Sequence, residues 1–261
     1  MIKFSEISSN SNKYIKLVEK LQKSSKARNE SGLFVLEGLR ICEDAFDNGI
    51  VIENVFVSVS FYEKTRDTAE KLFQKSMLNF VVNDSLFLKI CDTKTPQGII
   101  VVAKKPDSSD AIDNNGKYIA LDSIADTSNL GAICRTAEAL GLSGIIINNT
   151  SCDPYSPKSL RASMGTLLRM PVYITDDLSA FLTQNGLSGV SLVVDKTAQK
   201  LDNFNFEQGD VIIIGNEANG ISDGVKTASR ALVTIPMSGK AESLNAAGAA
   251  AIAIYEYTKQ R

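Results

Sequence analysis

The runs "KYIALD" (117–122), "GIIINN" (144–149), "VSLVVD" (190–195), "DVIIIG" (210–215) and "ALVTIP" (231–236) are short, continuous and rich in isoleucine and valine. Helical stretches separate most of them. Continuous apolar strands are buried on both faces, and alternation with helices is how a parallel sheet covers both. The second half of the chain is therefore expected to be an α/β domain with a parallel sheet and helices on both faces. Such sheets bind ligands beyond the carboxyl ends of their strands. Function is expected in the turns after Asp122, Asp195, Gly215 and Pro236.

The stretch "KKPDSSDAIDNNGK" (104–117) is polar and turn-rich, and it reads as a linker. Before it, "YIKLVEKLQ" (14–22) has helical spacing and "GLFVLEG" (32–38) is a short strand. "LRICEDAFDNG" reads as a helix stopped at Gly49, and "IENVFVSVS", "MLNFVV" and "GIIVVA" read as strands. We expect a small α/β domain over 1–106, a linker over 107–116 and a larger domain over 117–261.

The 261 residues contain no histidine. This removes Ser-His-Asp hydrolysis and His-ligated zinc sites. Cys42, Cys91, Cys134 and Cys152 lie far apart, as reduced thiols in apolar positions do. No apolar run approaches the ~20 residues that span a bilayer, and "MIKFSEISSN" has no apolar core of a signal peptide. A cytoplasmic protein is expected. Net charge is −2, but the first 40 residues carry Lys3, Lys13, Lys16, Lys20, Lys23, Lys26, Arg28 and Arg40. A local basic surface and a plain solvated helix face both fit these charges.

Three clusters carry chemistry. In "LDSIADTSNLGAICRTAEALG" (121–141), Ser128 suits an N-cap, while Leu130, Ile133, Ala137 and Leu140 make an apolar stripe. Asn129 and Arg135 are polar groups on that helix, and Glu138 is a ready partner for Arg135. In "VIIIGNEANGIS" (211–222), Gly215-x4-Gly220 is nearly a phosphate-binding loop, but Ile221 stands where lysine is needed and Glu217 repels a polyphosphate. The loop favours a ligand that is not polyanionic, approached closely by backbone at glycine. In "IPMSGKAESLNAAGAAAIAIYEY" (235–257), Ser243 and Asn245 sit at a helix start, with Ser243 as a simple N-cap. The thin, alanine-rich helix that follows suits close packing.

In order and spacing these clusters closely resemble the three motifs of the SpoU/TrmH family of the SPOUT superfamily, S-adenosylmethionine-dependent RNA ribose 2′-O-methyltransferases. "DPYSPKSLRASMGTLLRMPV" (153–172) is similar to the family's stretch between motifs, and the likeness covers 117–261. "SGLFVLEGLRICEDA" more weakly resembles an RNA-binding domain similar to ribosomal protein L30e. Thr127 departs from the pattern, which usually has proline there. The resemblance implies a C-terminal trefoil knot and a homodimer with sites near the interface. It implies S-adenosylmethionine held by Gly215, Ile235 and Leu244, with Met237 and Val194 beside them. Asn129, Arg135, Glu217, Ser243 and Asn245 would be catalytic, Arg135 as a clamp on ribose or phosphate, with a role as base left open. No metal is implied. The substrate would be structured RNA, 23S rRNA in preference to tRNA; a tRNA enzyme or an inactive ribosome assembly factor are the alternatives.

Overall fold

The computed structural model describes residues 3–107 and 112–260. Of the expected linker, positions 108–111 lie outside the described residues. The chain forms two compact units, Met1–Pro106 with Tyr155–Arg161, and Asp107–Pro154 with Ala162–Arg261.

The first unit is built on strands β1 (Ser5–Ile7), β2 (Leu33–Glu37), β3 (Ile52–Ser58), β4 (Ser76–Val82) and β5 (Ile99–Lys104), in the order β1-β4-β3-β5-β2. β5 runs antiparallel to both its neighbours. Helix α1 (Lys13–Lys23) is capped by Asn12, whose side chain accepts from the Tyr14 N–H. Its Ile15, Val18 and Leu21 pack on Val35, Phe56, Phe80, Ile100 and Val102. Ser24 ends α1 and caps α2 (Ser25–Ser31) by accepting from the Ala27 N–H. Helices α3 (Leu39–Asp47), α4 (Val59–Lys64), α5 (Arg66–Phe73) and α6 (Asp84–Ile90) follow in the same unit.

The second unit has seven parallel strands, β6 (Tyr118–Asp122), β7 (Gly144–Asn148), β8 (Val172–Thr175), β9 (Ser188–Leu192), β10 (Gln199–Lys200), β11 (Asp210–Gly215) and β12 (Ala231–Thr234), in the order β10-β12-β9-β11-β6-β7-β8. Its helices are α7 (Thr127–Ala139), α9 (Thr166–Arg169), α10 (Leu178–Gln184), α11 (Asp223–Ala228) and α12 (Ala246–Lys259), whereas α8 (Pro157–Ala162) belongs, through Arg161, to the first unit. Period-two alternation sends Tyr118, Ala120, Ile146, Val211 and Ile213 to the face that α10 and α11 cover with Leu178, Leu182 and Val225. α7 and α12 pack against each other, α7 reaching β7 and α12 reaching β11. Gly131 lets α7 approach Ala162, because a Cβ there would lie 2.5 Å from the Ala162 carbonyl carbon. This is the α/β architecture with helices on both faces that the apolar runs imply.

One expectation needs correcting. The third run forms a strand over Ser188–Leu192, not 190–195. Ile221, which stands where a phosphate-binding loop needs lysine, is buried and precedes α11, whose N-cap is Ser222. The cysteines are free thiols. Burial pushes Cys42 and Cys134 well above the ordinary thiol range and Cys91 up to about 12, which leaves them unreactive.

Candidate active site

β11 lies between β6 and β9 with Gly215 in register with Asp122, so two strand ends and their loops meet. Gly215 is required there by space. A Cβ would sit 2.6 Å from the Gly220 carbonyl oxygen and closer still to the Gly220 carbonyl carbon and the Ile221 nitrogen. The loop closes tightly because Asn216 and Gly220 exchange two backbone hydrogen bonds of 2.9 Å. The Asn216 side-chain oxygen accepts from the Ala218 and Asn219 N–H groups, while its Nδ2 donates to the Ser123 carbonyl at 2.8 Å.

Below the loop lies a buried polar network whose members were not among the expected site residues. The Asp122 carboxylate, 2% exposed, accepts from Asn148 Nδ2 at 2.6 Å and from the Ser222 N–H at 2.7 Å. Asn148 Oδ1 in turn accepts from the Ser123 N–H, and Ser123 holds a left-handed backbone at φ 63°. The available signal was a polar residue closing each of two adjacent apolar runs, Asp122 and Asn148.

Above this floor the three motifs join. Glu217 accepts from Asn129 Nδ2 at 2.8 Å and from the Ala125 and Asp126 N–H groups at 3.3 and 3.4 Å. Asn245 Nδ2 donates to Asn129 Oδ1 at 3.0 Å. Desolvation pushes the Glu217 pKa up, but the bond from Asn129 and those from backbone outweigh it, so it lies below the ordinary carboxylate range. Glu217 is a fixed anion.

This chain of polar groups borders a cleft of about 680 Å³ at the carboxyl ends of β9, β11 and β12. Val194, Gly215, Glu217, Ile235, Met237, Ser243, Leu244 and Asn245 all line it. Its charged lining is three carboxylates, Asp195, Glu217 and Glu242, against one ammonium, Lys226, which pairs with Asp223 at 3.2 Å. Such a lining disfavours a polyphosphate and favours a cationic ligand with apolar parts. A sulfonium cofactor fits on three observations: the glycine wall that no Cβ can occupy, the acidic rim, and the apolar Leu244, Ile235 and Met237. Among the described residues no group of three or more His, Cys, Asp or Glu could hold a metal ion.

Asn129 stands one hydrogen bond behind the cleft. Arg135 is not drawn into this hydrogen-bonded chain. It is exposed on α7 and has no ion-pair or hydrogen-bond partner among the described residues. The pairing with Glu138 does not form, because Glu138 takes Arg169 at 2.6 Å and the Thr166 hydroxyl at 2.7 Å. Arg169 meets both carboxylate oxygens at once, Nε on one and Nη2 on the other at 2.8 Å, so Glu138 is already answered by a two-pronged pair.

Both expected caps move. The N-cap of α7 is Asp126, not Ser128: its carboxylate accepts from the Ser128 N–H. The N-cap of α12 is Asn245, not Ser243, accepting from the Ala247 and Gly248 N–H groups. Asn245 therefore caps a helix with its oxygen and holds Asn129 with its nitrogen. This frees Ser243 in the cleft wall.

Comparison with known proteins gives the site its context. Residues 116–255 match the model of the SpoU rRNA Methylase family, and residues 12–101 match an MRM3-like substrate binding domain. The chain is 26% identical over 252 residues to the 23S rRNA (guanosine(2553)-2′-O)-methyltransferase RlmP of Bacillus subtilis, covering 96% of this chain and 98% of that protein. It is 28% identical over 251 residues to the 23S rRNA (uridine(2479)-2′-O)-methyltransferase of Streptomyces viridochromogenes, covering 90% and 85%. An AdoMet-bound rRNA methyltransferase from Sinorhizobium meliloti aligns with a TM-score of 0.83 at 28% identity, over 97% of each chain.

Proposed function

The chain belongs to the SpoU rRNA methylase family, and from that membership we propose that it methylates a ribose 2′-OH of 23S rRNA, using S-adenosylmethionine. The observation that carries the reading is the meeting of three distant segments on one cleft: Asn129, Glu217 and Asn245 form one hydrogen-bonded chain on its border. When bound, the cofactor supplies a methyl group on a sulfonium.

Each residue then has a task. The Gly215 backbone, Ile235 and Leu244 hold the cofactor, with Met237 and Val194 at its edge. Glu217, locked by Asn129 and two backbone N–H groups, keeps a negative charge at the mouth, and Asn245 and Ser243 orient the nucleotide. Arg135 clamps the ribose or its phosphate through the planar fork of its guanidinium. In-line placement of this kind can supply several kcal/mol of the barrier, of the order of 7–11 at best.

We further read the protein as a homodimer. The exposed face of α12 carries Ile252 and Tyr255 at 42% and 56% exposure, and a Cβ at Gly248 would meet nothing within 4 Å. That open apolar face suits a second copy of the helix, and a dimer could bring Arg135 to a partner's cleft. Residues 1–106 would bind RNA, 107–116 link, and 117–261 carry catalysis, with the segment before α12 threading the trefoil knot. Cytoplasmic residence accords with such a substrate, and no helix among the described residues is long and apolar enough to cross a membrane.

Mapping 2′-O-methyl positions in a 23S rRNA transcript, incubated with S-adenosylmethionine and protein, tests the reading. One modified ribose is expected with the wild type. Arg135→Ala should lose that product while keeping cofactor affinity by calorimetry and an unchanged melting temperature, since it has no partner to lose. Full activity in Arg135→Ala overturns its role, and absence of cofactor binding in the wild type points to an RNA-binding assembly factor.

A further inference from the structure

Helix α1 carries lysine at 13, 16, 20 and 23, a 3-4-3 spacing. At 100° per residue these four fall within an arc of about 80°, and at 1.5 Å per residue they span about 15 Å. All four are exposed, while Ile15, Val18 and Leu21 on the opposite side are at most 1% exposed in the core. None of the four forms an ion pair among the described residues. Lys26, Lys75 and Lys104 of the same unit do, with Glu30, Asp47 and Glu53.

Helix electrostatics accounts for half of the stripe. Lys20 and Lys23 lie in the last turn, where the helix dipole favours cations. Lys13 lies in the first turn and Lys16 just after it. The same dipole opposes cations there, and no acidic residue stands in that turn to offset it. In a chain of net charge −2, four aligned ammonium groups without a carboxylate partner make a local positive ridge, Lys13 resting over the Tyr14 ring at 4.9 Å. The partner has to be a polyanion that runs along the helix. An anionic membrane fits less well, because the apolar face that would enter the lipid is already buried in the sheet.

We propose that Lys13, Lys16, Lys20 and Lys23 are the surface of the first unit on which the RNA phosphate backbone docks. The inference rests on the reading of the protein as an RNA methyltransferase and names the surface through which that substrate is held. The contact is with phosphates, so it positions the RNA and carries no base specificity.

The test uses the full chain and a 23S rRNA transcript. The variant K13Q/K16Q/K20Q/K23Q is compared with wild type and with the charge-preserving K13R/K16R/K20R/K23R. Binding is followed by filter retention from 50 to 200 mM salt, beside methyl-transfer kinetics and cofactor calorimetry. Four lost phosphate contacts should lower the slope of log K against log salt by about 3. The affinity advantage of wild type should then shrink about 60-fold across that salt range. KM for RNA should rise in the glutamine variant, with kcat at saturating RNA and cofactor affinity unchanged, and the arginine variant should restore the slope. A glutamine variant with the wild-type slope and KM overturns the proposal. So does an arginine variant as impaired as the glutamine one, or loss of binding to phosphatidylserine vesicles in place of loss of RNA binding. A wild type that binds RNA with the expected slope yet neither binds cofactor nor methylates overturns the enzymatic reading and leaves the lysine surface standing.

Discussion

Two glycines in the cleft loop separate space from backbone conformation as reasons for glycine, and replacing each with alanine reads them apart. At Gly215 the obstacle is backbone: the new Cβ would be 2.6 Å from the Gly220 carbonyl oxygen, so the loop must retreat by roughly 1 Å to reach ordinary contact. A retreat of that size stretches the two 2.9 Å bonds between Asn216 and Gly220 and the 2.7 Å bond from the Ser222 N–H to the buried Asp122 carboxylate beyond hydrogen-bond range. Two neutral bonds at about 1 kcal/mol each and one charge-assisted bond at about 1.5–3 give a loss of about 3.5–5 kcal/mol. At Gly220 the surroundings are empty, and only the left-handed φ of 68° resists a side chain, at about 1–2 kcal/mol. Urea unfolding followed by circular dichroism should therefore rank Gly215→Ala well below Gly220→Ala. Calorimetry should show S-adenosylmethionine affinity lost in the first variant and largely kept in the second. Equal stabilities, or a Gly215→Ala protein that binds cofactor like wild type, would refute the close-packed loop.

Thr127 opens α7 at the first helical position, and its hydroxyl is buried without a hydrogen-bond partner. Proline suits that position, and Asp126 before it already has an extended backbone (φ −87°, ψ 118°), so Thr127→Pro should raise stability by about 0.5–1 kcal/mol in a thermal melt. The pKa of Glu217 is depressed in the fold, so its contribution to stability is complete above the unfolded carboxylate value of about 4.3 and is lost as pH falls through the folded value. The stability gap between wild type and Glu217→Gln, read by urea titration, should therefore narrow from pH 7 to pH 3.5. Arg230 holds the buried Asp210 carboxylate with two nitrogens, one of them at 2.9 Å. Arg230→Met should cost about 3 kcal/mol by the same measurement, because it leaves that charge buried and unpaired.

Pattern made the large-scale fold legible and left the fine geometry dark, for a physical reason. A seven-stranded parallel sheet writes itself into sequence as unbroken apolar runs, so β6, β7, β11 and β12 could be placed within a residue or two. β8, a four-residue strand at one edge, and β10, a two-residue strand at the other, bury too little to leave such a trace. Helices α4 and α6 are likewise six and seven residues long, too short for a period of 3.6 to repeat clearly.

The cleft residues divide along another line. The wall, from Val194 to Asn245, followed from resemblance, and the structure sets all of its named members on one cleft. Sequence could not show which polar side chain does which job, because serine, aspartate and asparagine compete for the same capping positions. At both helix starts the cap is the residue immediately before the first helical position. Asp126 took the cap that Ser128 was expected to hold, and Asn245 took that of Ser243. The second choice has a functional consequence. With its oxygen committed to Ala247 and Gly248, the Asn245 amide can only donate towards Asn129, which must then present its own amide to Glu217. A helix cap thus fixes the orientation of each amide in the chain, and the chain ends on a carboxylate that cannot turn. The direction of donation at the cleft is set by a backbone requirement met at Asn245, seven residues before the exposed Ile252, in the same helix face that would meet a second subunit.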